Sequence, residues 1–186
     1  MKKYNKKIKI TDYIEVCKYI MGFSFSLNWY MKTSTLPKPF KHRFTHKKEA
    51  IKMKKSLYNL SEPLNRKLRV YKGTSKYSLE ITFNTDEKLL SEFDKKTKIQ
   101  LKHFISTSKS RKIAKEFSTK IIHVLDLHKN TKVIDVKKYY SQCKQFLKND
   151  PEILTQREII ITPGTIFIPV KKINRYNIIW FYWKAL

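Results

Sequence analysis

The sequence predicts an α+β chain, with a helical N-terminal lobe followed by a mostly antiparallel β-sandwich. Two observations carry this reading. Apolar residues recur at helical spacing through residues 1–60, and after Glu62-Pro63 they fall into short runs separated by turn residues. Helices first and strands afterwards fit a layered α+β architecture rather than regular βαβ alternation. With 186 residues, the chain fits one domain's worth of sequence, divided here into a lobe over 1–60 and a core over 61–186.

In the lobe, Ile10, Ile14, Cys17 and Met21 are spaced as one face of a helix, with Thr11 or Asp12 as its N-cap. Leu36-Pro37-Lys38-Pro39 breaks the chain. A second helix places Ala50, Met53, Leu57 and Leu60 inward and lysines 47, 48, 52, 54 and 55 elsewhere, as a solvated face. Past Pro63, Leu68 to Gly73 reads as a strand closed by a glycine turn, and Asn84 to Phe93 as a short helix. Leu101 to Ser108 is a strand, after which Ser110 caps a helix burying Ile113, Ala114 and Phe117. Ile121 to Leu127 and Val133 to Val136 are strands, and Tyr139 to Leu147 is helical. Glu158 to Thr162 and Thr165 to Val170 flank Pro163-Gly164 as a hairpin, and Ile178 to Trp183 closes the sheet. Trp180, Phe181, Tyr182 and Trp183 are read as packing, while Tyr4, Trp29, Tyr30 and Phe44 are candidates for contact with a partner.

Hydrophobic residues make up 41% of the chain, enough for a real core, and three glycines argue against a fibrous or low-complexity sequence. No window reaches the ~18 uncharged apolar residues of a membrane span. No small-residue cleavage site follows the lysine-rich start, so the sequence predicts an intracellular protein. Cys17 and Cys143 fall at helical apolar positions and are expected to be reduced core residues. His42 and His46 lack acidic or thiol neighbours at ligand spacing, so no metal site is expected. The charge is the largest compositional signal: 41 basic against 15 acidic residues give +26. Such a surface favours phosphate-rich or acidic partners and makes nucleic-acid binding a possibility. The excess of lysine over arginine, with abundant Asn, Ile and Tyr, also fits an AT-rich coding sequence.

Three segments carry candidate chemistry. In Thr155-Gln156-Arg157-Glu158, strand alternation would put Gln156 and Glu158 on one face. In Phe104-Ile105-Ser106-Thr107-Ser108, Ser106 and Ser108 share a face. Val70-Tyr71-Lys72-Gly73 sets a cation at a strand end. Taken singly, these are an edge glutamate, a pair of capping hydroxyls and a surface lysine.

Together, in this order, the segments resemble the arginine–serine–glutamate class of ADP-ribosyltransferases, which includes the small Rho-modifying bacterial exoenzymes. The resemblance covers about residues 57 to 186 and includes the Ala114-to-Phe117 helix end and the Lys129-to-Asp135 stretch. It implies an ADP-ribosyltransferase-like sandwich that uses NAD as a substrate and no metal. The reaction would break the nicotinamide–ribose bond through an oxocarbenium-like state that a fixed carboxylate stabilises. By resemblance, the catalytic residues are Glu158, Gln156 and Ser106, and the NAD-binding residues are Lys72, Ser106, Thr107 and Ser108; Arg111, just after Ser-Thr-Ser, is added from its spacing as a contact to the NAD phosphates.

Gln156 in place of a second glutamate suits an Asn or Gln side chain of a protein acceptor, or a guanine base, better than arginine. The chain departs from the family in two places. Lys72 stands where an arginine is expected and lacks its forked geometry, and Arg69, three residues away, faces the other side of the strand. Ile153 replaces an aromatic residue before the Gln-x-Glu motif. These departures keep one reading of a different class open: a silent transferase fold serving as a basic nucleic-acid-binding or structural module.

Overall fold

The computed structural model describes residues 8–35, 46–74, 98–118, 120–143 and 156–186. The expected helix over Asn84 to Phe93 lies outside them, as do Tyr4, Phe44, the Leu36-Pro37-Lys38-Pro39 break, and residues 144–147 of the expected helix from Tyr139. The helical elements are α1 (Ile10–Lys18), a π-helical turn (Tyr19–Phe23), α2 (Ser24–Thr33), α3 (Lys47–Leu60), α4 (Arg111–Glu116), a 3₁₀ turn (Val136–Tyr139) and α5 (Tyr140–Cys143). The strands are β1 (Glu62–Pro63), β2 (Leu68–Thr74), β3 (Ile99–Gln100), β4 (Ile105–Ser108), β5 (Ile121–Leu127), β6 (Lys132–Asp135), β7 (Glu158–Ile161), β8 (Ile166–Arg175) and β9 (Ile178–Ala185).

The strands form one hydrogen-bonded sheet in the order β1-β6-β7-β4-β2-β5-β9-β8-β3. Every pairing is antiparallel except β5 with β9. The sheet curls so that its two ends face each other across one core. Ile105, Ile159 and Ile161 from one end share a core with Ile99, Phe167, Phe181 and Trp183 from the other. The sandwich is therefore one curled sheet, and the α+β class stands. The outer face of the β4–β6–β7 end is covered by helices: Val16, Tyr19, Leu27, Met53 and Leu57 pack on Phe104, Ile134 and Ile160. With both faces covered, β7 is buried at every position, which is why it reads as an unbroken isoleucine run.

Several expectations change. Along α1 and the π turn that follows it, Ile10 is 76% exposed and Met21 41% exposed, while Asp12, Glu15, Val16 and Tyr19 are buried. The buried stripe has already moved to Asp12, Glu15, Val16 and Cys17 within α1, ahead of the π turn. Glu15 tolerates burial because Lys18 at 3.4 Å and Lys52 of α3 at 3.3 Å neutralise it. Asp12 is not the cap; it lies inside α1 and accepts the Lys9 backbone N–H. The face predicted for α3 is buried as expected. Ser110 caps α4 through Ile113 N–H, but Phe117 is 60% exposed. The strand from Leu101 begins only at Ile105. β7 and β8 are not a hairpin: β7 lies between β4 and β6, and β8 between β9 and β3, so Pro163-Gly164 is a corner between distant parts of the sheet. Gly73 sits within β2 rather than in a turn.

The cysteines are also corrected. Cys17 of α1 and Cys143 of α5 form a disulfide, with Cα atoms 5.6 Å apart and a sequence separation of 126. Each was placed correctly as a buried helical residue, but only the packing of α1 against α5 brings them together. Bridges of this kind persist in oxidising surroundings. Among the described residues, no helix is long and apolar enough to cross a membrane.

Candidate active site

The site forms where β2 and β4 separate. These strands are joined through a single pairing, Tyr71 with Ser108. Beyond it, Lys72 reaches across and its Nζ donates to the Ser106 carbonyl at 3.2 Å. A ladder bond is thereby replaced by a cation, and the separation opens a cleft of about 290 Å³. Lys72, Ser106, Thr107, Ser108, Gln156 and Glu158 all line it.

The cleft wall is fixed by hydroxyls. Thr107 Oγ1 donates to the Ile159 carbonyl at 2.7 Å and locks β4 to β7. Ser108 Oγ accepts the Ser110 N–H and donates to the Gln156 carbonyl. Gln156 and Glu158 do reach the same cleft, but not by strand alternation. Arg157 adopts a left-handed backbone (φ 48°), so the chain turns at this residue and β7 starts at Glu158. The Lys109 N–H to Arg157 carbonyl bond holds that turn.

Glu158 is a buried carboxylate paired in register with Ser108. Burial pushes its pKa above the usual carboxylate range, while the neighbouring Ser106 hydroxyl and the Lys72 ammonium pull it back. Burial lowers the Lys72 pKa, and Glu158 opposes that shift. The two groups thus stabilise each other's charged forms in a partly desolvated space. Such a pair can hold a fixed negative charge where a cation develops.

Arg111 is not brought into the cleft; from the start of α4 its guanidinium stacks on Trp180, 4.5 Å from the ring centre. Arg69 pairs with Asp126 on the exposed side of β2, as its spacing from Lys72 required. Among the described residues, no cluster of His, Cys, Asp or Glu could hold a metal ion. Motif reading missed Tyr19, which lines the cleft from the π turn, and the reason for Gly73. A Cβ on Gly73 would stand 1.9 Å from the Ala114 carbonyl, so glycine is what lets α4 lie against β2.

The family model described as ADP-ribosyltransferase exoenzyme matches residues 1–179. The chain belongs to this family. The transferase acts on NAD, the donor that defines the family's reaction. Solved structures share its fold at low identity. Plx2a, an ADP-ribosyltransferase toxin from Paenibacillus larvae, is 15% identical with a TM-score of 0.64, over 99% of this chain and 90% of that one. An ADP-ribosyltransferase from Clostridium botulinum is 13% identical with a TM-score of 0.65, covering 96% of this chain and 87% of that one. The ADP-ribosylating toxin of a C. perfringens binary enterotoxin, solved with NADH, is 16% identical with a TM-score of 0.67. That match covers 97% of this chain, which spans only 44% of the toxin's length. No curated protein sequence matches the chain.

Proposed function

We propose that the transferase moves ADP-ribose from NAD to a protein, onto an Asn or Gln side chain rather than arginine. The observation that carries this is the composition of the cleft: one buried carboxylate, Glu158, beside a neutral amide, Gln156. A guanidinium acceptor would favour a second carboxylate at Gln156, whereas an amide can both donate to and accept from another amide.

In this reading Glu158 stabilises the ribosyl cation left when nicotinamide departs. Ser106 orients Glu158, and Gln156 aligns the acceptor nitrogen. Lys72 keeps Glu158 ionised and faces the NAD phosphates as a point charge rather than a fork. Thr107 and Ser108 shape the NAD-binding wall, supported by their bonds to Ile159 and Gln156. Arg111 stays a candidate phosphate contact only if it leaves Trp180. The division into a lobe over 1–60 and a core over 61–186 belongs to the same proposal. It is supported by the packing of α1, α2 and α3 as a layer on one end of the sheet.

The test uses labelled NAD in a cell lysate at moderate salt, with wild type and Glu158→Ala side by side. Label that requires Glu158 and sits in the protease-sensitive fraction, on Asn or Gln by mass spectrometry, supports the proposal. Label in the nuclease-sensitive fraction moves the acceptor to a base, the reading the +26 charge favours. Absence of label and of nicotinamide release would leave a silent basic module. A gain of transfer to agmatine in Gln156→Glu is expected if that position sets acceptor choice.

A further inference from the structure

Tyr19 opens the π-helical turn Tyr19–Phe23, a kind of wide turn that recurs at functional sites. It is 1% exposed, yet it lines the cleft together with Ser106 and Glu158. Its ring packs edge-on to Phe104, with centroids 6.3 Å apart. Its hydroxyl makes a long hydrogen bond of 3.4 Å to the Phe104 carbonyl, beside the 3.0 Å bond that the same oxygen accepts from Asn28 Nδ2. The other polar group beside the phenol is the Ser106 hydroxyl, two residues further along β4, and that hydroxyl also adjoins Glu158.

Counting protons orders these three groups. The phenol and the Ser106 hydroxyl carry one proton each, and an ionised carboxylate only accepts. The arrangement that gives the carboxylate a donor has Ser106 donating to Glu158, and the Ser106 oxygen then accepts the Tyr19 proton in exchange for the long bond to the Phe104 carbonyl. Burial holds the phenol well above its ordinary range, so it remains a donor at every working pH. The Phe104 carbonyl keeps Asn28 as its partner in this arrangement, and β4 is pinned from the helical layer two residues before Ser106.

We propose that Tyr19 is a positioning residue: through the Ser106 hydroxyl it fixes the Glu158 carboxylate, tying the helical layer to the reacting end of the cleft. This rests on the reading of Glu158 as the charge that stabilises the ribosyl cation.

The experiment measures nicotinamide release by the full chain, disulfide intact, in Tyr19→Phe, Ser106→Ala, the double variant and Glu158→Ala, with melting temperatures for each. The expected result is a fall in kcat of roughly tenfold in Tyr19→Phe with KM within about twofold, as for loss of one oriented bond to a charged group. In the Ser106→Ala background the same change should cost nothing further. Unchanged kcat, a loss carried by KM, or full additivity with Ser106→Ala overturns the proposal, since each means that Tyr19 does not act through Ser106. Activity retained in Glu158→Ala would sink the reading of Glu158 and this proposal with it, whereas activity lost in Glu158→Ala but unchanged in Tyr19→Phe overturns this proposal alone. Should Tyr19→Phe fail to fold, Tyr19→Met is put through the same cycle under the same criteria.

Discussion

Two sets of buried polar groups meet across one register position of β2, where Lys72 pairs with His123 of β5, and they are built on opposite principles. On the β5 side, His123 is buried in the core beside Phe181 and Trp183. Its Nδ1 accepts Trp183 Nε1–H at 3.0 Å, which leaves Nε2 protonated toward Thr74 Oγ1 at 3.3 Å. Burial and the nearby Lys72 charge push its pKa down to about 3, so it is a neutral hydrogen-bonded core residue. On the β4 side, Glu158 has burial working against its charge and lines an open cleft with Lys72 and Ser106. The difference teaches that burial alone does not mark a site. A satisfied neutral group serves the fold, while a charge kept against its solvation cost and facing a cleft serves chemistry.

The sharpest way to break this comparison is to neutralise Glu158. Glu158→Gln should lower the rate of NAD cleavage by roughly a hundred- to a thousandfold. Its melting temperature should hold or rise, because a carboxyl with a raised pKa weakens the fold once pH exceeds its unfolded value. A large fall in melting temperature would place Glu158 with the structural groups instead.

The disulfide tests whether the cleft depends on the helical layer. Reduction, or Cys17→Ser with Cys143→Ser, should cost roughly 3–5 kcal/mol of stability by release of a long loop, read from denaturant curves. An unchanged midpoint would detach the layer from the sheet energetically.

His123→Phe should do the reverse of Glu158→Gln, leaving NAD cleavage intact while costing about 1–3 kcal/mol as Trp183 loses an acceptor. The wild-type fold should also weaken as pH falls from about 6.5 toward 3, since the unfolded histidine binds a proton that the folded one refuses. His123→Phe flattens that slope, although His103, held near 4, keeps part of it.

The smallest effect concerns Lys72. On the proposal that activity needs the Glu158 carboxylate, the acid limit of activity should lie above the ordinary carboxylate range. At saturating NAD, Lys72→Met should move that limit up, and Lys72→Arg should restore it. A limit that does not move would mean Lys72 serves substrate binding alone.

Much was legible in the residues themselves. Local periodicity determined α3, β2, β5 and the capped α4, because each is set by nearest neighbours and by one buried face. The order of Lys72, Ser-Thr-Ser and Gln-x-Glu was enough to suggest the family, since short motifs are read from the residues themselves whatever fold holds them. Long-range closure was decided only by the tertiary structure. The Pro163-Gly164 corner looked like a hairpin because a turn signal does not say which strand comes next in the sheet. The Cys17–Cys143 bridge spans 126 residues that no local pattern connects. Tyr19 reached the cleft through a π turn that apolar spacing does not encode. Gln156 and Glu158 share the cleft through a left-handed Arg157, a backbone state set by the bonds around it rather than by the residue. Sequence determines what a short segment prefers, and packing decides which distant segments meet, because the free energy of meeting belongs to both partners at once.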